Sequence, residues 1–312
     1  MLRLQNIILR IFLIPFALCI FYNVGHGQAL TNEKKSNDKI NYIPYYLKVY
    51  EADELYKIAE FEKCFSLLDS LFSKYEPLNQ DLYYEYEKYI SSAVSLNKKL
   101  DYHLQVRKLI SHFGYDKNTI ELNPLLLEAY NLSNINDVDY EKMRNNYVTT
   151  KNLTLRDTII EIYNNDQYYR TNKLNMTKKD SLEHLFNIDE ENGKKLVYIF
   201  NKYGYPNSNI IGNRTLRGKR EKVSIDPVIV HMADQTNKEF FKKKILDFVI
   251  QGTCSPSVYA TLIDREKLNN GEEQIYYSFY SDNISYDRNI VNARRKEIGL
   301  NNIIETSNII NH

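Results

Sequence analysis

Residues 225–235 read IDPVIVHMADQ, an imidazole and a carboxylate three positions apart in an otherwise apolar segment. If a helix starts at Pro227, His231 and Asp234 share one of its faces. A carboxylate beside an imidazole raises its pKa and can orient it as a general base. The same pairing can also satisfy a buried histidine and do nothing more, because general-base work needs a nucleophile or substrate that this segment does not name. Two further acid–base pairs accompany it. Asp166 stands four residues before Arg170, by default the spacing of a surface ion pair worth ~0.3–0.5 kcal/mol. Asp264 and Arg265 are adjacent, so they point in different directions and one of them must reach back to another element. No Cys-x-x-Cys or Cys/His spacing suggests zinc, and no nucleophile elbow, phosphate loop or metal motif is present, so neither a metal nor a cofactor is expected.

The elements that must position these residues read as helices. In EADELYKIAEFEKCFSLLDSLFSKYEP, Ala52, Leu55, Tyr56 and Ala59 share one face and Phe61, Cys64, Phe65, Leu68, Leu71 and Phe72 another, with a short turn near Glu60. Small residues at Ala52 and Cys64 let the two helices approach, and Pro77 ends the pair. This hairpin resembles a tetratricopeptide unit, although its turn lacks the usual glycine. Residues 79–113 predict a second, more diverged pair, and ELNPLLLEAYNL another helix. Tyrosines at 83, 84, 86 and 89 admit a peptide- or carbohydrate-binding stripe, but the chain is rich in tyrosine throughout. Beyond residue 151 one helix carries Leu155, Ile159, Ile162 and Tyr163 inward, and a second stops at Gly204-Tyr205-Pro206. The loop after it holds Arg214, Arg217, Lys219, Arg220 and Lys222, a basic run that is either solvated or attracts an anion if it folds over the polar site. Asp226-Pro227 and Ser255-Pro256 predict N-caps followed by proline, and Thr236 to Glu239 a capping box. The second of these proline helices carries Tyr259, Leu262 and Ile263 inward. After a turn at 269–271, the aromatic QIYYSFY predicts a strand of a small two-stranded ribbon.

The expected fold is therefore mainly α: tetratricopeptide-like hairpins over 43–150, then a helical domain with a small β-ribbon over 151–312. A chain of 312 residues is long enough for two such units, each with a real core. Residues 1–29 have a basic start, an apolar run from Ile11 to Tyr22 and small residues at Gly25, Gly27 and Ala29. The run is shorter than the ~20 residues a stable membrane span needs, so a secretory signal peptide is expected, and with it export to the periplasm or the exterior. A lipoprotein alternative would acylate Cys19, after a large Leu18. Residues 30–42 are polar and form a flexible lead-in. Once Arg3 and Arg10 are removed the formal charge of +1 falls near −1, which argues against a nucleic-acid partner. Cys64 and Cys254, in different regions, are expected to be buried free thiols.

DQYYR (166–170), IDEEN (188–192), KYGYP (202–206), Gly212, HMAD (231–234), VYATLIDR (258–265) and GEEQIYY (271–277), in that order, resemble an uncharacterised family of mostly secreted or envelope bacterial domains. The resemblance spans about residues 154–280. The family has no established reaction. What it implies is that Asp166, Gln167, Arg170, His231, Asp234, Asp264, Arg265 and Gln274 belong to one constellation. Val230 stands where the family has glutamine, and the basic loop 213–222 resembles an insertion. Tyr277 and Ser278 replace a glycine and a threonine, and bulky Tyr277 would narrow a pocket at that place. Two functions stay open. One is an exported binding or scaffold protein, with a protein or peptide partner on the N-terminal helices and a polar site in which Asp166, Gln167, Arg170, Gln274 and Tyr277 meet a ligand. The other is a hydrolase using His231 as base, Asp234 or Asp264 as orienter, and Arg170 or Arg265 to stabilise an anionic intermediate.

Overall fold

A computed structural model describes residues 40–171, 177–279 and 286–303. The expected signal peptide, nearly all of the lead-in and Tyr280 of the expected strand lie outside these residues. Every regular element among the described residues is a helix. In the N-terminal half these are α1 (Ile43–Lys57), α2 (Phe61–Phe72), α3 (Glu85–Ser95), α4 (Tyr102–Ser111), α5 (Lys117–Glu121), α6 (Pro124–Leu132) and α7 (Asp137–Thr149). Then follow α8 (Leu153–Thr171), α9 (Lys178–Tyr203), α10 (Ser208–Ile211), α11 (Asp226–Val230), a 3-10 turn (His231–Asp234), α12 (Lys238–Ile250), α13 (Pro256–Asn269) and α14 (Arg288–Glu297).

The expected β-ribbon does not form. Residues 270–279 are turns and bends, with no strand among the described residues. Aromatic content favours a strand there, but the carboxylate of Asp264 takes the backbone N–H groups of Ile275, Tyr276 and Ser278 at 2.8, 2.9 and 2.8 Å. Amides turned toward one carboxylate cannot also face a neighbouring strand, and Tyr277 sits in the left-handed region at φ 51°.

In the first hairpin, Ala52 and Cys64 are fully buried where α1 meets α2. The turn that lacks a glycine is closed by Ala59, which takes φ 58° itself; a side chain in that region costs about 1–2 kcal/mol. The described residues cluster as one compact unit; the main apolar core runs from Tyr42 to Leu262, with a small second cluster of Ala260, Ile298 and Leu300. Tyr46 on α1 shows how the first helix joins the later ones: its hydroxyl lies 3.0 Å from the carbonyls of both Val249 and Cys254. Close by, Tyr42 N–H donates to Ile250 O at 2.8 Å. Gly252 is required here, because a Cβ would come within 2.7 Å of the Tyr42 ring.

Two helix starts differ from expectation. Ile225, not Asp226, occupies the N-cap of α11, and Asp226 instead accepts the Tyr205 hydroxyl. Asn237 precedes α12 with no side-chain cap, so the Thr236–Glu239 box does not form. Ser255 does cap α13, accepting from Ser257 N–H.

Candidate functional site

The polar site is assembled where α8, α9 and the 3-10 turn meet. On α8, Leu155, Ile159 and Ile162 are buried, and continuing the same register turns Asp166 inward, where it is fully buried. On α9, Asp189 and Asn192 lie on the buried side, and Gly193 follows them. A Cβ at Gly193 would lie 3.3 Å from the Met232 sulfur, so the glycine lets the 3-10 turn settle closely on α9. That approach carries His231 toward α8.

The carboxylate of Asp166 is the centre. Arg170 Nε donates to its Oδ1 at 3.1 Å and Gln167 Nε2 to its Oδ2 at 2.8 Å. The Arg170 Nη2 donates to Asp189, so one guanidinium joins two helices. His231 Nε2 stands 3.8 Å from Asp166 Oδ2, beyond hydrogen-bond reach. Burial pushes the imidazole down to about 4, the Arg170 cation adds to the effect, and the charge of Asp166 opposes it. The ring is therefore neutral at pH 7 and meets Asp166 as a dipole, not as a cation. Burial pushes Asp189 up to about 6, against the hydrogen bond and charge of Arg170. Asp189 was absent from the expected site residues, although the IDEEN segment contains it.

The other expected residues take different hydrogen-bond partners, although the charges of Asp234 and Arg265 still reach His231. Asp234 is exposed and both its oxygens accept from Asn269 at 2.7 Å, so the histidine's nearest carboxylate is Asp166 rather than its own neighbour on the turn. Asp264 is fully buried; besides three backbone N–H groups it accepts the Ser278 hydroxyl at 2.8 Å. Gln274 works on the same loop, its amide donating to Phe279 O and accepting from Phe279 N–H, both at 2.9 Å. Tyr277 donates to Glu273 and packs on Tyr286, ring centroids 4.2 Å apart. Arg265 lies over the Phe279 ring at 4.5 Å, with its Nε buried and without a partner. Hydrogen bonding thus sorts the constellation: Asp166, Gln167 and Arg170 bond to one another with His231 beside them, Asp264 and Gln274 bond to the 275–279 loop, and Asp234 and Arg265 join neither set, although their charges reach His231.

The basic loop is anchored beside neither. Fully buried Arg156 holds it through Glu221 at 2.7 Å and the carbonyl of Ile211 at 2.8 Å. Arg214 pairs with Asp81 at 3.4 Å and Arg217 with Asp157 at 2.6 Å, while Lys219, Arg220 and Lys222 are exposed. Among the described residues no group of three acidic, cysteine or histidine side chains is placed to hold a metal ion, and no helix is long and apolar enough to cross a membrane.

Fold and site together define an all-helical protein with a buried His/Asp/Arg polar network. No protein-family model, no curated protein and no solved structure matches the chain.

Proposed function

We propose that the chain is an exported helical binding or scaffold protein in which the network around Asp166 joins α8, α9 and the 3-10 turn and turns over no substrate. The observation that carries this reading is the commitment of the carboxylates to donors of the chain itself. Both oxygens of Asp166 hold donors, Arg170 bridges Asp166 and Asp189, and Asp264 and Gln274 serve their own loop. Two clefts, of about 200 and 420 Å³, are lined by none of His231, Asp166, Arg170 and Asp189. Export rests on the basic and apolar pattern of residues 1–29, and the motif order from DQYYR to GEEQIYY supports kinship with secreted domains of unknown function.

The hydrolase alternative has one observation in its favour, a neutral imidazole with about a quarter of its side chain exposed beside a carboxylate. No hydroxyl or thiol among the described residues hydrogen-bonds to it, so it lacks a nucleophile to activate. Thermal unfolding of His231→Ala, assayed together with turnover of p-nitrophenyl esters, separates the two readings. A less stable protein with no esterase activity before or after substitution supports the scaffold. Activity that His231→Ala abolishes at unchanged stability would overturn it.

A further inference from the structure

The larger cleft, about 420 Å³, opens between the N-terminal helices and the start of α13. Tyr50 and Tyr83 form one wall, ring centroids 4.8 Å apart and planes at 60°. Ser257 and Thr261 line it from the first turns of α13, the Thr261 hydroxyl donating to Ser257 O at 2.8 Å and Ser257 Oγ lying 2.9 Å from Ser255 Oγ, and Tyr277 closes the side made by the Asp264 loop. The cation of the cleft is Arg295 of α14, only 8% exposed. Its three hydrogen bonds go to neutral acceptors: Nε to Asn301 O at 2.6 Å, Nη1 to Tyr276 O at 2.7 Å and Nη2 to Asn301 Oδ1 at 3.3 Å.

A guanidinium carries five N–H groups, so two remain without an acceptor among the described residues. No carboxylate among the described residues forms an ion pair with it. Asp264 acts on it only at longer range, its own oxygens being filled by the 275–278 loop. Asp81, the acid at the rim, is already paired with Arg214. A buried cation with neutral partners is costly unless something anionic completes it. The positive end of α13 points the same way, since its first N–H groups favour negative charge.

We propose that this cleft binds a small hydroxylated organic anion, a carboxylate or phosphate ester, whose oxyanion completes the shell of Arg295. The body of such a ligand meets the faces of Tyr50 and Tyr83 on one side and the α13 hydroxyls on the other. The site deepens the binding-protein reading by naming a ligand class. It shares no residue with the His231 network, so the failure of one leaves the other standing.

The test is calorimetric titration of the full chain with glucuronate, glucose 6-phosphate and glucose. One of the two anions should bind with a dissociation constant below about 1 mM and glucose at least roughly tenfold more weakly, for want of a charge to meet Arg295. Which anion binds tells a carboxylate site from a phosphate site. Arg295→Gln should abolish the binding, but it also removes three structural hydrogen bonds and can unfold the chain. Ser257→Glu avoids this: position 257 is exposed in the first turn of α13, where an acid suits the helix, and its charge would enter the cleft. It should weaken the anion at least roughly tenfold with unchanged melting temperature, while Lys219→Gln with Arg220→Gln on the exposed loop changes nothing. Absence of binding by both anions, equal binding of glucose, or an anion affinity untouched by Ser257→Glu would each overturn the site.

Discussion

Replacing Arg170 with alanine removes the side chain that joins Asp166 on α8 to Asp189 on α9. Asp166 is fully buried and keeps only Gln167 as a hydrogen-bond donor; Asp189 is left facing it with the same charge. Two magnitudes compete. An exposed pair at this spacing is worth ~0.3–0.5 kcal/mol, whereas taking one partner from a buried pair costs ~3–5 kcal/mol. Burial selects the larger figure, and in a unit of this size it corresponds to roughly 6–20 °C in Tm. The loss should depend on pH in a definite direction. Asp189 has its folded pKa raised to about 6 from 3.8, so the folded state binds that proton more tightly and stability is gained as pH falls through this range. Without the guanidinium the carboxyl rises further, and neutralising it relieves part of the damage. Unfolding in urea, followed by circular dichroism, should therefore show a deficit for Arg170→Ala that is smaller at pH 5 than at pH 7.5. Adding Asp189→Asn to Arg170→Ala should restore ~1 kcal/mol or more at pH 7.5, a coupling that contact between the sites requires. A deficit under ~1 kcal/mol, the same at both pH values and additive with Asp189→Asn, would show an ordinary surface pair and refute the reasoning.

His231 works in the opposite sense: its folded pKa is depressed to about 4, so the unfolded chain takes up the proton first and stability is lost as pH falls from 6.5 through 4, by up to about 3 kcal/mol. His231→Gln should remove that loss and gain on the wild type between pH 7 and 4.5 in the same unfolding series. Ala59→Gly should stabilise by about 1 kcal/mol through relief of the left-handed turn, read as a higher urea midpoint at unchanged slope. Asp264→Asn leaves one oxygen where a carboxylate held four donors, so a loss of about 3 kcal/mol and faster proteolytic nicking within 272–279 are expected; an unchanged cleavage rate would count against the loop-organising role. Cys64 and Cys254 are free, and burial pushes both thiols up, so iodoacetamide should label them only after denaturation.

What the sequence makes legible is what local spacing controls. The inward faces of α2, α8 and α13 follow the apolar period, and Ser255 caps α13 because its partner amide is two residues away. Asp226 looks equally like a cap, yet a hydroxyl 21 residues distant, that of Tyr205, captures it. The ribbon fails for the same kind of reason: β-branched and aromatic content speaks for a strand, and a carboxylate on the preceding helix outcompetes strand pairing for the amides. Asp166 and Arg170 show spacing without environment, for the same four-residue interval is a weak surface pair or the centre of a network according to what α9 and the turn place over it. Arg156 and Arg295 could not be read at all, because their partners are Glu221, 65 positions along the chain, and backbone carbonyls.

The motif set that suggested one constellation contains two carboxylates doing analogous work at different scales. Asp166 holds Gln167 and Arg170 of its own helix, Arg170 in turn reaching Asp189 of α9 beside the 3-10 turn, and Asp264 gathers the amides of one loop. The second arrangement reaches further than its own loop. Asp264 holds the N–H of Tyr276, and the carbonyl of that same residue holds Arg295. A buried anion and a buried cation are thereby kept apart by one ordered residue, each within the other's field and neither quenched by direct contact. Had Asp264 paired with Arg295 outright, the guanidinium would have no free N–H directions and no unmet charge to offer the cleft. The acid that resembles a catalytic group in the sequence is better understood as the group that fixes where Arg295 stands, and leaves it able to take an anion.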